Sequence, residues 1–282
     1  MLTPSVASSP VKKITADEIR DADDLLASEE PMEIRLGFGD AENRQQKNIS
    51  VTMRTPGHDF ELALGFLFTE GIIKNYHDVL QIKYCTDFNR VENQNNIVRV
   101  ELKEDVEVDT EKLLRNFYTT SSCGVCGKAS IEAIKTVGGW QSAERDFKIE
   151  ASLIYSLPNV LRQQQHIFEY TGGLHAAALF SPEGEIIFIR EDVGRHNALD
   201  KLIGAALAEN LVPLNQHILL LSGRTSFELI QKAAMAGIRL VAAIGAPSDL
   251  AVKTAEEFDI TLIGFLRDNR FNIYSVPERI II

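Results

Sequence analysis

The chain has 282 residues, 45% of them hydrophobic, enough for a sizeable core and, at about 150 residues per domain, for two domains. Lys and Arg number 29 against 40 Asp and Glu, a net charge of −11 with a pI of 5.1, so the field of the molecule repels phosphate backbones and argues against general nucleic-acid binding. No apolar run approaches the ~18–20 residues that span a bilayer, since Leu62 to Phe68 soon meets Glu70 and Lys74.

Met1 to Lys12 is rich in Ser and Pro and has no apolar stretch before a cleavage site, which reads as a disordered tail over 1–13 and a cytoplasmic protein. From there to residue 118 the pattern predicts an α+β domain. Strands are expected at Met32–Phe38, Ile49–Arg54, Val79–Thr86 and Ile97–Leu102, and one helix from Gly57-His58-Asp59 to a stop at Gly71. His58 reads as part of that helix start.

The second expected domain, 119–282, opens on a polar loop, Thr119-Thr120-Ser121-Ser122, followed by Cys123-Gly124-Val125-Cys126 and a helix over Lys128–Val137. A helix over Leu157–Tyr170 and a hairpin pairing Leu174–Phe180 with Glu185–Arg190 come next. Helices at Ala198–Glu209, Ser226–Ala236 and Leu250–Phe258 then alternate with strands at His217–Leu221, Leu240–Ile244 and Thr261–Phe265. Such alternation predicts an α/β domain with a largely parallel sheet, whose ligands sit at the carboxyl ends of the strands.

Three cysteines are too few, and odd in number, for a secreted disulfide scaffold. Cys85 sits in an alternating stretch and reads as a buried small hydrophobe. Cys123 and Cys126 stand at a predicted helix start, where free amides and the dipole favour the thiolate, and Gly124 and Gly127 leave the sulfurs little covered. A sulfur carrier needs such a thiolate. Half a zinc site and a thioredoxin-like redox pair remain open, although no second C-x-x-C or H-x3-5-H completes a zinc set.

Two strand-to-helix turns carry polar groups. Ser222, Gly223, Arg224 and Thr225 follow a buried strand and form an anion site or an ordinary capped turn. Arg190 to Asn197 is almost wholly polar and brings Arg195 and His196 to a strand's carboxyl end. His175 lies among small residues on a strand, as a ligand contact or a satisfied core histidine.

Taken together, Ser121-Ser122-Cys123-Gly124-Val125-Cys126-Gly127, Gly172-Gly173-Leu174-His175, Glu191 to Ala198 and Ser222-Gly223-Arg224 resemble the FdhD family of formate dehydrogenase accessory sulfurtransferases, from about Ile34 to the C-terminus. The resemblance implies a cytidine-deaminase-like, three-layer α/β/α second domain. It also implies a protein that accepts sulfur from a cysteine desulfurase as a persulfide on Cys123, with Cys126 assisting, and passes it to the bis-molybdopterin guanine dinucleotide form of the molybdenum cofactor for formate dehydrogenase. The family's cofactor-binding segment is similar to Phe265-Leu266-Arg267-Asp268-Asn269-Arg270, whose arginines suit phosphate contacts. A homodimer is expected from base rates. The other readings are a cofactor-binding chaperone without chemistry and a zinc-dependent hydrolase of deaminase type. Against the last, a zinc deaminase shows H-x-E and then P-C-x-x-C, whereas Ala176 and Ala177 follow His175 and the cysteines come earlier in the chain.

Overall fold

The computed structural model describes residues 5–85, 95–109 and 147–282. Cys123, Cys126, the helix expected over 128–137 and the domain boundary expected at 118 lie outside them.

The first element corrects the expected tail. Strand β1 (Val6–Ile14) pairs antiparallel with β2 (Ile19–Ala27), in a register running from Val6 opposite Ala27 to Ile14 opposite Ile19. The Ser/Pro composition conceals this because the pairing is set by partners further along the chain. Lys12 reaches Asp21 at 2.8 Å and Lys13 reaches Asp24 at 3.4 Å, and the Thr15 hydroxyl accepts from the amides of Asp17 and Glu18 in the turn. At the base, the Ser5 hydroxyl donates to the Pro56 carbonyl at 2.7 Å.

The expected α+β unit follows. Strands β3 (Glu30–Phe38), β4 (Gln45–Arg54), β5 (Val79–Tyr84) and β6 (Ile97–Leu102) form a sheet in the order β4-β3-β6-β5, parallel only between β3 and β6. Met32, Ile34 and Leu36 on β3 and Val98, Val100 and Leu102 on β6 are all buried, the period of two placing them on one face. Helix α1 (Asp59–Thr69) covers that face and buries Leu62, Leu67 and Phe68. Cys85, just past β5, is half-buried, more open than the alternation suggested.

The remaining elements make three layers. Strands β8 (His175–Phe180), β9 (Ile186–Asp192), β10 (Ile218–Leu221), β11 (Leu240–Ala243), β12 (Thr261–Arg267) and β13 (Arg270–Ser275) lie in the order β13-β12-β11-β10-β8-β9. A short parallel pair, β7 (Ile149–Glu150) with β14 (Ile280–Ile281), stands apart. Where the alternation predicts a largely parallel sheet, parallel pairing is confined to β10, β11 and β12, joined by crossover helices α5 (Phe227–Met235) and α6 (Asp249–Glu257); the strands on either side pair antiparallel.

Successive residues of each strand enter opposite cores. Ala177, Leu179, Leu219, Leu221, Val241 and Ala243 face the side of α5, α6 and α4 (Arg195–Ala208). Ala176, Ala178, Phe180, Leu220, Ala242 and Ile263 face α2 (Ala151–Gln164). Each fully buried Leu or Phe contributes about 1.5–3 kcal/mol. In place of one helix over 157–170, α2 begins at Ala151 and ends at Gln165, whose ψ of 70° is not helical. Helix α3 (His166–Thr171) then starts afresh, its Ile167 and Phe168 amides donating to the Glu191 carboxylate at 3.1 and 3.0 Å.

Both sheets share one core because α1 and α4 cross almost backbone to backbone. A Cβ on Gly65 would lie 1.8 Å from the Asp200 carbonyl oxygen, and one on Gly204 would lie 1.9 Å from that of Glu61. Beside the crossing, buried Lys232 on α5 donates to the Thr69 hydroxyl at 2.8 Å and to both Asp200 oxygens at 2.9 Å. Removing one partner of such a buried pair costs about 3–5 kcal/mol, because the other charge is left unmatched. Arg190 and Glu61 form a further link between the sheets.

Gly204→Ala should destabilise the protein by about 3 kcal/mol, at the upper end for overpacking because backbone atoms cannot move aside; a lower urea midpoint would register it. Glu61 yields a pH dependence. Burial alone would raise its carboxyl, but the hydrogen bonds and charges of Arg190 and His58 outweigh burial and bring it from 4.5 to about 2. The folded value is the lower one, so this contribution is complete above pH 4.5 and is lost as pH falls from 4.5 towards 2. Urea midpoints measured across that window should fall less steeply in Arg190→Gln than in the wild type.

Candidate functional site

The parallel strands β10, β11 and β12 finish at one end of the C-terminal sheet, where β9 also ends and β8 begins. Three turns, 222–225, 245–248 and 265–270, abut there through main-chain contacts, and His175 packs against the first. The His175 ring rests against Gly223, where a Cβ would lie 3.1 Å from Nδ1. The Gly223 carbonyl accepts from the Gly245 amide at 3.1 Å, and the Gly245 carbonyl accepts from the Phe265 amide at 3.1 Å. A Cβ on Gly245 would lie 2.7 Å from the Gly223 oxygen, so only glycine allows this approach.

Within the 222–225 turn, Ser222 continues the β10–β8 pairing, its amide donating to the Ala176 carbonyl and its hydroxyl accepting from the Ala176 amide. Arg224 is exposed. Thr225 is buried, its amide bonded to the Ala246 carbonyl, and its hydroxyl has no hydrogen-bond partner among the described residues. Helix α5 begins just beyond, at Ser226, with no side-chain cap bond from that residue.

Most charges of the 190–197 turn are engaged within the fold. Arg190 binds Glu61, Glu191 caps α3, and Asp192 and Asn197 are buried and bonded to each other at 3.1 Å. Arg195 and His196 are the first residues of α4. The Nε atom of Arg195 is buried with no acceptor among the described residues. His196 Nε2 lies 3.3 Å from the Ser226 hydroxyl and 3.8 Å from Glu228.

Electrostatics keep both imidazoles neutral near pH 7. Burial, followed by the charges of Lys232 and Arg195, lowers His196 from 6.5 to about 4. Burial and then Arg195 lower His175, with Asp192 opposing them. Burial pushes the Glu228 carboxyl up, but Ser226, the helix amide, His196 and Arg195 together leave it below its usual range. The positive charge offered at this end therefore comes from arginine, which holds its proton at all physiological pH values.

The 265–270 segment is the β12–β13 hairpin. Arg267 pairs with Arg270, and Asp268 and Asn269 have φ of 51° and 54°, the two left-handed residues of a type I′ turn. Arg267, Asp268, Asn269 and Arg270 are exposed, whereas Leu266 faces inward into the core beneath α2. Phe265 is 38% exposed at φ 54°, an outlier for a bulky side chain. Sequence reasoning passed over Gly245-Ala246-Pro247-Ser248, although small residues directly after a buried strand were the available signal. Cys123 and Cys126 lie outside the described residues, as does any contact they make with these turns.

At the position where a deaminase carries its glutamate, Ala177 is fully buried against the α4 side of the sheet. No group of three or more His, Cys, Asp or Glu that could hold a metal is found among the described residues, and no helix there is long and apolar enough to cross a membrane.

Known proteins match this chain along nearly its whole length. A sulfur carrier protein FdhD from Mycolicibacterium paratuberculosis is 49% identical over 271 residues, covering 96% of this chain and 97% of its own. The protein of the same name from Saccharolobus solfataricus is 41% identical, covering 96% and 98%. In fold, the chain superposes on a crystal structure from Desulfotalea psychrophila, described as that of a formate dehydrogenase accessory protein, with a TM-score of 0.74 at 23% identity, over 99% of this chain and all of that one. The FdhD/NarQ family profile matches residues 27–281, and by that match and those relatives the chain belongs to the FdhD/NarQ family.

Proposed function

We infer that this protein is a sulfur carrier, acting as a sulfurtransferase in the cytoplasm. It takes sulfur from a cysteine desulfurase as a persulfide on Cys123 and hands it to the molybdenum cofactor in its bis-molybdopterin guanine dinucleotide form, which then serves formate dehydrogenase. In the loading step the Cys123 thiolate attacks the outer sulfur of the desulfurase persulfide; a new S–S bond forms and the desulfurase thiolate leaves. Cys126 assists by relay, or by resolution, in which its thiolate attacks the inner sulfur of the Cys123 persulfide, a Cys123–Cys126 disulfide forms and the outer sulfur leaves at the sulfide level. The working unit is a homodimer.

The observation that carries the reading is the set of turns at the sheet end. They bring glycine backbone, Arg195, Arg224 and the Arg267–Arg270 hairpin to the end of the parallel strands, with a buried guanidinium nitrogen left without an acceptor among the described residues. Such an arrangement suits the phosphates of a dinucleotide. The names of the relatives, sulfur carrier protein, support the chemistry assigned to the cysteine pair. Binding of the cofactor falls to these turns, and delivery of sulfur falls to the Cys123 loop.

Intact mass after incubation with a cysteine desulfurase and cysteine tests the carrier. Wild type and Cys126→Ala should gain adducts of about 32 Da that are lost on reduction, and Cys123→Ala should gain none. If wild type takes up no sulfur yet binds a guanine nucleotide, the reading gives way to a cofactor-binding chaperone.

The charge assignment is tested by NMR. The His196 ring should titrate near 4, against an ordinary 6.5. Because the folded value is the lower one, protonation of this histidine opposes folding: the penalty is absent above pH 6.5, grows as pH falls from 6.5 and is complete below 4. A midpoint near 6.5 in the folded protein would show that the imidazole is solvated, against this assignment.

A further inference from the structure

Asp192 ends β9 and Lys201 lies within α4, and their side chains are 0% and 1% exposed. Every hydrogen-bonding group of the pair is accounted for. Lys201 Nζ reaches Asp192 Oδ2 at 2.7 Å, the Thr55 carbonyl at 2.8 Å and the Glu191 carbonyl at 3.4 Å, which uses all three N–H groups. Asp192 Oδ2 also accepts from the Thr55 amide at 3.1 Å, while Oδ1 accepts from the Gly194 amide at 2.8 Å and from Asn197 Nδ2 at 3.1 Å.

The groups so joined come from two sheets. Thr55 directly follows β4; its amide donates to Asp192 and its hydroxyl accepts from the Val193 amide at 3.2 Å, while its carbonyl accepts from Lys201 on α4. Asn197 adds a bond from Nδ2 to the Met53 carbonyl at 2.8 Å and accepts from the Thr52 hydroxyl at 3.3 Å. Arg195 follows Gly194, the residue whose amide Asp192 holds. Its Nε has no acceptor of its own among the described residues, so the backbone from which Arg195 projects decides where that atom lies. A buried ion pair adds little net stability over apolar residues of similar size, and its best-attested use is to fix a register.

We propose that Asp192 and Lys201 are positioning residues that act on an anionic ligand through Arg195, by locking the turn that carries it onto the Thr52–Thr55 segment. This rests on the reading of the sheet end given above, and it assigns the N-terminal sheet a part in binding without contact with the ligand. Replacing both charged groups at once, as Asp192→Asn with Lys201→Met, removes the tie without stranding a buried charge.

Calorimetric titration with guanosine diphosphate, as a probe for the nucleotide end of the cofactor, separates the possibilities. Arg195→Ala should weaken binding roughly tenfold and the charge-free pair should weaken it by a similar factor, but the three substitutions together should bind no more weakly than Arg195→Ala alone. A further loss in the triple variant would mean that the pair acts on the site by general loosening, and would overturn the proposal. Wild-type affinity in the charge-free pair beside weakened Arg195→Ala would overturn the positioning role alone. Wild-type affinity in Arg195→Ala would overturn the anion-site reading on which the proposal rests. Failure of both the charge-free pair and Asp192→Asn to fold would show that the pair serves stability, and would overturn it too.

Discussion

The crossing of α1 and α4 at Gly65 and Gly204 is the contact on which the rest of the arrangement depends. With hydrogen in place of both side chains, each helix lies against the other's carbonyls, and the four-stranded and six-stranded sheets bury their inner faces in a single core. Such proximity leaves no room for water, so polar groups flanking the crossing must find partners in the protein. They do so in two sets. Asp200, Lys232 and Thr69 satisfy one another near the C-terminus of α1, and Asp192, Lys201 and Thr55 do so near its N-terminus.

This division of labour explains why so many charges at the sheet end face away from solvent. In the segment from Arg190 to Asn197, four residues are used to join elements: Arg190 to α1, Glu191 to α3, Asp192 to Thr55 and Asn197 to β4. Arg195 and His196 are left with other work. Burial and neighbouring cations hold His196 neutral, so the turn presents the combination of a permanent guanidinium charge with an uncharged ring. The charge of this turn therefore rests on arginine and not on an imidazole that titrates.

Regular patterns made much of the fold legible. The β6 bounds, Ile97–Leu102, coincide with the expected strand because a period of two runs cleanly through them, and the helices and strands expected between 198 and 265 are found within a few residues, whereas β13 and β14 beyond them were not expected. The family resemblance, carried by motifs scattered along the chain, is borne out over residues 27–281. Features set by distant partners were not legible. Val6–Ile14 reads as a Ser/Pro-rich stretch despite Val6, Val11 and Ile14, and it is ordered by pairing with Ile19–Ala27. Gly65 and Gly204 look like helix-weakening residues until the helices are seen to cross. Asp192 sits in a polar run that suggested ligand contact and Lys201 in the helix expected to follow it, and their pairing becomes visible only when β9 and α4 are packed together. Leu266 belongs to a motif segment yet faces the same core as Ile263, three residues before it, because the strand is irregular between Gly264 and Arg267, with Phe265 at φ 54°, and strict alternation is broken there.

The contacts through Gly223, Gly245 and Phe265 have a thermodynamic consequence. In many binding sites the loops stiffen when a ligand arrives, and the loss of their conformational freedom opposes association. Here neighbouring turns are joined amide to carbonyl before any ligand is present, and the intervening space is too narrow even for a methyl group. That loss has already been met during folding. A flexible dinucleotide would then have mainly its own motions to surrender, and the strength with which this end holds an anion should be governed by how well the ligand fits a fixed surface.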